Sequence, residues 1–256
     1  MASAPARRAD PLDGLALYEG PEAALARGPV SGPRLFVTPN LDHWRLLHRS
    51  RALRRAYRAA AVVLNDSRFL RRLLWRADLP TVPGADLAVR WLETAPAGEA
   101  WLVVGCPPPV ERWLRERRPD LVFTTVEPSH GYVKTRSERR ALAGLAAQVR
   151  PARILVCTGA PQSELVAHGL ARALRHPCDL LCCGAGLQFA AGLKSRAPGP
   201  FQRLGLEWAW RLVREPHTRQ RYLLDALFLA GHAARLRRLA PRGRTPAPAS
   251  PVAARA

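Results

Sequence analysis

From Arg34 to Gly184 the chain alternates short apolar runs with longer amphipathic stretches. Runs bounded by Gly, Pro, Asn and Asp predict strands at Arg34–Thr38, Ala61–Leu64, Trp101–Gly105, Leu121–Val126, Arg153–Thr158 and Asp179–Gly184. The stretches between them predict helices over Leu41–Ala60, Ser67–Arg76, Val110–Arg117, Arg136–Val149 and Ser163–Arg175. Strands that alternate with helices imply a mostly parallel sheet covered on both faces.

The pattern changes at both ends. Residues 1–33 are rich in Ala, Pro and Gly and are expected to be loosely ordered, with a short helix near Pro21–Ala26. After Lys194, Pro198 and Pro200 break the chain, and two helical segments follow near Phe201–Arg214 and Arg219–Leu239. Residues 240–256 are Pro-, Ala- and Arg-rich and read as a disordered tail. The expected fold class is α/β, a Rossmann-like mostly parallel sheet flanked by helices. A core spans residues 34–193, and a basic helical appendage spans 194–239.

Charge narrows the partners. The formal net charge is +20, and with lysine only at Lys134 and Lys194 almost every cation is an arginine. Such a surface suits nucleic acid, acidic lipid or phosphorylated small molecules. The five cysteines, Cys106, Cys157, Cys178, Cys182 and Cys183, sit in apolar runs and read as reduced core residues, not as metal ligands. No apolar h-region follows Arg7 and Arg8, and Leu180–Leu193 is too short to span a bilayer, so any membrane contact is expected to be peripheral.

Ligands of open parallel sheets bind beyond the carboxyl ends of the strands. That rule selects Thr38 and Asn40, then Asn65 and Asp66, then Gly159 to Glu164, then Gly184 to Gly186. Asp66 is the only acid among ten arginines between Arg45 and Arg76. It can cap the following helix, or act as a general base in a cleft built for a phosphorylated substrate. Thr38 and Asn40 can cap a helix or bind a sugar hydroxyl. Glu164 stands at a helix start, where the dipole favours a carboxylate in any case. Arg211 and Arg214 share a helix face, Glu207 is spaced to pair with Arg211, and Arg203, Arg219 and Arg221 lie close in sequence. The module is either a solvated, salt-bridged helix or a phosphate clamp. Gly184-Ala185-Gly186 lacks the third small residue of a dinucleotide fingerprint, since Phe189 takes its place, and no Ser or Cys nucleophile motif is present.

From Arg34 to Tyr222 the chain resembles the WecG/TagA/CpsF group, glycosyltransferase family 26. The resemblance rests on Val37-Thr38-Pro39-Asn40, Leu64-Asn65-Asp66, Val82 through Leu87, Gly131-Tyr132, Gly159-Ala160-Pro161 with Glu164, and Phe189 through Gly192. Its most specific block runs from Arg196-Ala197-Pro198 through Gln202 to Trp208, Arg211-Leu212, Glu215-Pro216 and Arg221-Tyr222. The resemblance implies an inverting transferase that moves a sugar from a UDP-sugar to an undecaprenyl-diphosphate-linked saccharide. It implies work on the cytoplasmic face of the plasma membrane, without metal or other cofactor, with the appendage completing the site and touching anionic lipid. Asp66 then matches the catalytic base. Thr38, Asn40 and Glu164 fall among substrate-binding positions, and Arg211 and Arg221 match arginines that neutralise diphosphate.

Several positions depart from the family pattern. Ser67 follows Asp66 where glycine is usual, Thr81 replaces an arginine, and Gln162-Ser163-Glu164 replaces Lys-Gln-Glu. Leu187-Gln188-Phe189 replaces Phe-Asp-Phe, and Thr218 stands where arginine is expected. These changes imply an altered donor preference. The competing readings are a non-catalytic binder of polyprenyl-phosphate intermediates and, from charge alone, a nucleic-acid-binding protein; no specific nucleic acid is expected as a partner.

Overall fold

The computed structural model describes residues 15–26, 28–29, 31–74, 78–129, 131–195, 197–204, 207–214 and 219–239. Six strands form one sheet: β1 (Pro33–Val37), β2 (Val62–Val63), β3 (Ala100–Val104), β4 (Val122–Val126), β5 (Arg153–Val156) and β6 (Cys178–Cys182). Their order is β2-β1-β6-β5-β3-β4, and every neighbouring pair is parallel. The α/β, Rossmann-like reading holds.

Side chains alternate cleanly between the two faces, as the strand period requires. Leu35, Val37, Ile154, Val156, Leu180 and Cys182 belong to one core cluster, while Phe36, Leu155, Leu181 and Cys183 belong to the other. The first cluster is covered by α1 (Leu41–Arg49), α2 (Arg51–Ala59), α3 (Arg68–Leu73), α6 (Arg136–Val149) and α7 (Gln162–Ala173). The second lies under α4 (Gly84–Thr94), α5 (Pro108–Arg117) and α8 (Gly186–Ala190). The chain therefore leaves β1 toward one face and leaves β6, the neighbour of β1, toward the other. In open parallel sheets ligands bind at such a point, beyond the carboxyl ends of these strands.

Three local features depart from the sequence reading. The helix expected over Leu41–Ala60 is two helices, because the Ser50 backbone is extended and its hydroxyl accepts the Leu53 N–H at 3.1 Å. Helix α4 was not anticipated as a helix, although Leu87, Ala88, Trp91 and Leu92 supply its buried face. The segment before β1 is docked, not loose, over its described part. Leu15, Leu17 and Leu25 are buried, a 3₁₀ turn spans Glu22–Ala26, and the Trp91 indole donates to the Leu25 carbonyl at 2.7 Å. Residues 1–14 and the tail at 240–256 lie outside the described residues.

The appendage comprises α9 (Gly199–Arg203), α10 (Glu207–Arg214) and α11 (Arg219–Leu239). Helix α11 lies on α1, where Arg45 donates from Nε to the buried Asp225 carboxylate at 2.7 Å and also bonds Asp42. Phe228 and Leu229 pack on the core, and Phe228 sits against His48 and His232, with ring centroids 5.0 and 4.2 Å away.

Candidate active site

Asp66 follows β2, and one carboxylate oxygen accepts the Gly84 N–H at 3.1 Å, at the first residue of α4. The helix dipole favours a negative charge there. The Asp66 N–H in turn reaches the Pro39 carbonyl at 3.4 Å, which ties the Asp66 loop to the loop after β1. Asp66 thus does not cap the helix directly after it, as it could have, but contacts the start of α4. Ser67 caps α3 instead.

Two glycines set how closely α4 approaches the strand ends. A Cβ on Gly84 would stand 3.1 Å from the Thr38 side chain and 3.3 Å from the Cys183 Cα. A Cβ on Gly186 would stand 2.9 Å from the Ala85 Cα. Small residues here let backbone meet backbone, so Asp66 and Thr38 both lie beside Gly84. Thr38 is buried and its hydroxyl donates to the Cys182 carbonyl at 3.0 Å, bridging β1 to β6. The altered position Thr81 accepts the Asn65 side-chain amide at 3.1 Å behind the Asp66 loop.

Asn40 is the N-cap of α1, with its Oδ1 accepting from Asp42 N–H at 3.1 Å and His43 N–H at 3.4 Å. The His43 ring completes the box. Its Nδ1 lies 2.8 Å from Asn40 Oδ1 and 3.3 Å from the Asn40 backbone nitrogen. Its Nε2 lies 3.1 Å from Glu164 Oε1. Glu164, in the first turn of α7, is 2% exposed, so it supports the site from beneath. Burial works against a charge on His43, but Glu164, then Asp42 and Asp66, more than offset this and raise its pKa above the ordinary 6.5. Burial, reinforced by the Glu164 charge, pushes the Tyr57 hydroxyl well up, and it stays neutral.

The structure therefore gathers Thr38, Asn40, Asp66 and Glu164 around the ends of β1, β2, β5 and β6. Arg221 is on the first turn of α11, close enough to act on Asp225, the partner of Arg45 of α1; its guanidinium carbon is 5.0 Å from the Tyr222 ring centroid. Arg211 lies in α10, and its side chain is outside the described residues, as are the side chain of Glu207 and all of Arg196, Glu215 and Thr218. Trp210 packs against Phe201 with centroids 5.7 Å apart and carries Arg214 over its ring, whereas Trp208 is exposed. Sequence reasoning missed His43 and Arg45. A histidine at the N3 position after an Asn cap was the available signal for the first; nothing local marked the second.

No group of three or more His, Cys, Asp or Glu side chains placed to hold a metal occurs among the described residues, and no described helix is long and apolar enough to cross a membrane.

The parallel sheet, Asp66 at the start of α4 beyond the strand ends, and the arginine-bearing C-terminal helices agree with one comparison. The model of the glycosyl transferase WecG/TagA/CpsF family matches residues 12–243, most of the chain. Such transferases take a sugar donor and a lipid-linked acceptor and serve cell-surface polysaccharide synthesis. The chain belongs to the WecG/TagA/CpsF family of glycosyltransferases.

Proposed function

We propose that this protein is an inverting hexosyltransferase that moves a sugar from a UDP-sugar to an undecaprenyl-diphosphate-linked saccharide. Asp66 is the observation that carries the reading. Its carboxylate is oriented by the Gly84 N–H beyond the carboxyl end of β2, in a stretch of chain whose other charged residues are arginines. Asp66 takes the proton from the acceptor hydroxyl. The hydroxyl oxygen then bonds to the anomeric carbon from the face opposite UDP, and the carbon–oxygen bond to UDP breaks, so the configuration inverts. Thr38 and Asn40 orient sugar hydroxyls. Arg221, with Arg211, offsets the charge that grows on the departing diphosphate, a task that guanidinium forks perform without a metal.

The appendage also carries the membrane role. Phe201, Trp208, Val213, Leu223 and Leu227 on α9 to α11, with Leu204 just after α9, are exposed large apolar side chains set among arginines. That combination suits peripheral binding to the anionic inner face of the plasma membrane.

The decisive assay measures UDP release with a short-chain, diphosphate-linked lipid saccharide across UDP-sugar donors. Asp66→Asn should lower kcat about 10²–10⁴-fold, the range for a lost general base. Full turnover by that variant would overturn the base assignment. Removal of residues 194–256 should weaken binding to anionic vesicles, and unchanged binding would remove the membrane role of the appendage.

A further inference from the structure

Beneath Asp66 lies a buried titratable pair that the reaction above does not use. His43 is 9% exposed and Glu164 is 2% exposed, and they join α1 to α7 through the 3.1 Å contact of Nε2 with Oε1. Two protonation states of the ring find partners here. When neutral with its proton on Nε2, the ring donates to Glu164, and Nδ1 can accept the Asn40 backbone N–H at 3.3 Å. When doubly protonated, Nδ1–H instead donates to Asn40 Oδ1 at 2.8 Å, the shorter of the two contacts. The groups that face the ring are anionic or neutral: Glu164 from α7, Asp42 from α1, Asp66 from the loop after β2, and the Tyr57 ring from α2, 6.3 Å between centroids. Two buried polar atoms at this layer, Glu164 Oε2 and Tyr57 Oη, have no hydrogen-bond partner among the described residues.

We propose that His43, held by Glu164, is a positioning residue for Asp66. The line of contacts is short. His43 sets Asn40, the next residue back is Pro39, and the Pro39 carbonyl accepts the Asp66 N–H at 3.4 Å. The imidazolium locks the Asn40 side chain. Loss of its proton turns Nδ1 into an acceptor, which removes the ring's bond to Asn40 Oδ1, leaves that oxygen only its two backbone N–H donors, and loosens the loop that carries Asp66. The group's folded pKa lies above its ordinary value, so the lock is held at pH below that folded pKa and is lost as pH rises through it. The proposal rests on the reading of Asp66 as the base.

The test compares wild type, His43→Gln and Glu164→Gln by kcat and KM across pH, and by NMR titration of the His43 Cε1–H. Wild-type kcat should fall on the alkaline side through the His43 pKa. In His43→Gln, kcat at neutral pH should fall about tenfold to a hundredfold with KM little changed, the scale of a slightly misplaced reacting group, and that alkaline limb should vanish. Glu164→Gln should move the limb, and the NMR midpoint, to lower pH; this arm decides the matter if His43→Gln does not fold. A His43→Gln enzyme with wild-type kcat and an unchanged limb would overturn the proposal, as would a His43 midpoint that Glu164→Gln leaves in place. The NMR arm needs no turnover, and Asp66→Asn tests the base separately, so failure of the base reading is distinguishable from failure of the lock.

Discussion

The two ends of the sheet bury charge in different ways. At the amino-terminal end, Arg34 at the start of β1 grips Asp179 at the start of β6 through two bonds of 2.6 Å and also donates to the Gly28 carbonyl at 3.2 Å. Arg153, at the start of β5, donates to the Trp91 carbonyl at 3.0 Å and lies over the Trp91 and Trp101 rings, 5.1 and 5.3 Å from their centroids. Glu99 stands 3.2 Å from its Nε. At the carboxyl-terminal end, His43 and Glu164 are also buried, and Glu164 Oε2, like Arg153 Nε at the other end, has no hydrogen-bond partner among the described residues, but here Asp66 stands only partly buried beyond the strand ends. Burial alone therefore does not mark a working charge. Position relative to strand direction does, because loops converge at the carboxyl ends and the amino ends only need closing.

The largest effect should come from breaking the closed end. Asp179 is fully buried, and burial, only partly opposed by Arg34, raises its carboxyl pKa. Asp179→Ala leaves the Arg34 guanidinium half-buried without its partner and removes a carboxylate that also acts on Arg153. Denaturant unfolding should report a loss of about 3–5 kcal/mol, the cost of orphaning a buried charge. Activity per folded molecule should stay within a factor of about two, since the site lies at the far end of the strands. The double variant Arg34→Met/Asp179→Leu should recover most of the loss, because an apolar pair of similar bulk avoids the desolvation cost. A selective fall in kcat for Asp179→Ala would erase the distinction between the two ends.

An intermediate effect belongs to the carboxyl-terminal end. Gly186→Ala places a methyl 2.9 Å from the Ala85 Cα, a backbone atom that cannot rotate away. Overpacking of this kind costs about 1–3 kcal/mol. Here the stability loss should come with a loss of activity, because α4 carries the N–H that orients Asp66. A stability loss with unchanged kcat would show that the α4 contact matters to packing alone.

That contrast also separates what could be read from the sequence and what could not. The strands were legible because each needs only a local apolar run, and Thr38, Asn40 and Asp66 were legible because strand ends follow from strands. The break at Ser50 was hidden inside one continuous amphipathic pattern, although a serine that can cap was visible. The His43–Glu164 pair spans 121 positions and the Arg45–Asp225 pair spans 180, so neither leaves a local period. Glu164 was noticed as a helix-start carboxylate, which told nothing of the imidazole it serves. In the appendage, six exposed apolar side chains lie among the arginines, so composition could show its character but not which tryptophan turns inward.

The smallest effect should come from a charge pair that belongs to neither end. Glu111, partly exposed, and Arg115, exposed, sit one turn apart on α5, with Oε1 bonded at 2.8 and 3.0 Å. The guanidinium lowers the Glu111 carboxyl pKa, so the pair is intact at neutral pH and its contribution is lost as pH falls through that lowered value. Solvent screening and side-chain entropy leave such pairs worth about 0.3–0.5 kcal/mol. Glu111→Ala should therefore shift Tm by no more than about 1–2 °C, a difference that 0.5 M salt should mostly remove. A larger, salt-independent shift would mean that the Arg115 bond to the Phe123 carbonyl, 3.1 Å long, depends on Glu111 to hold the edge strand β4. The pair would then belong with the buried charges that close the sheet.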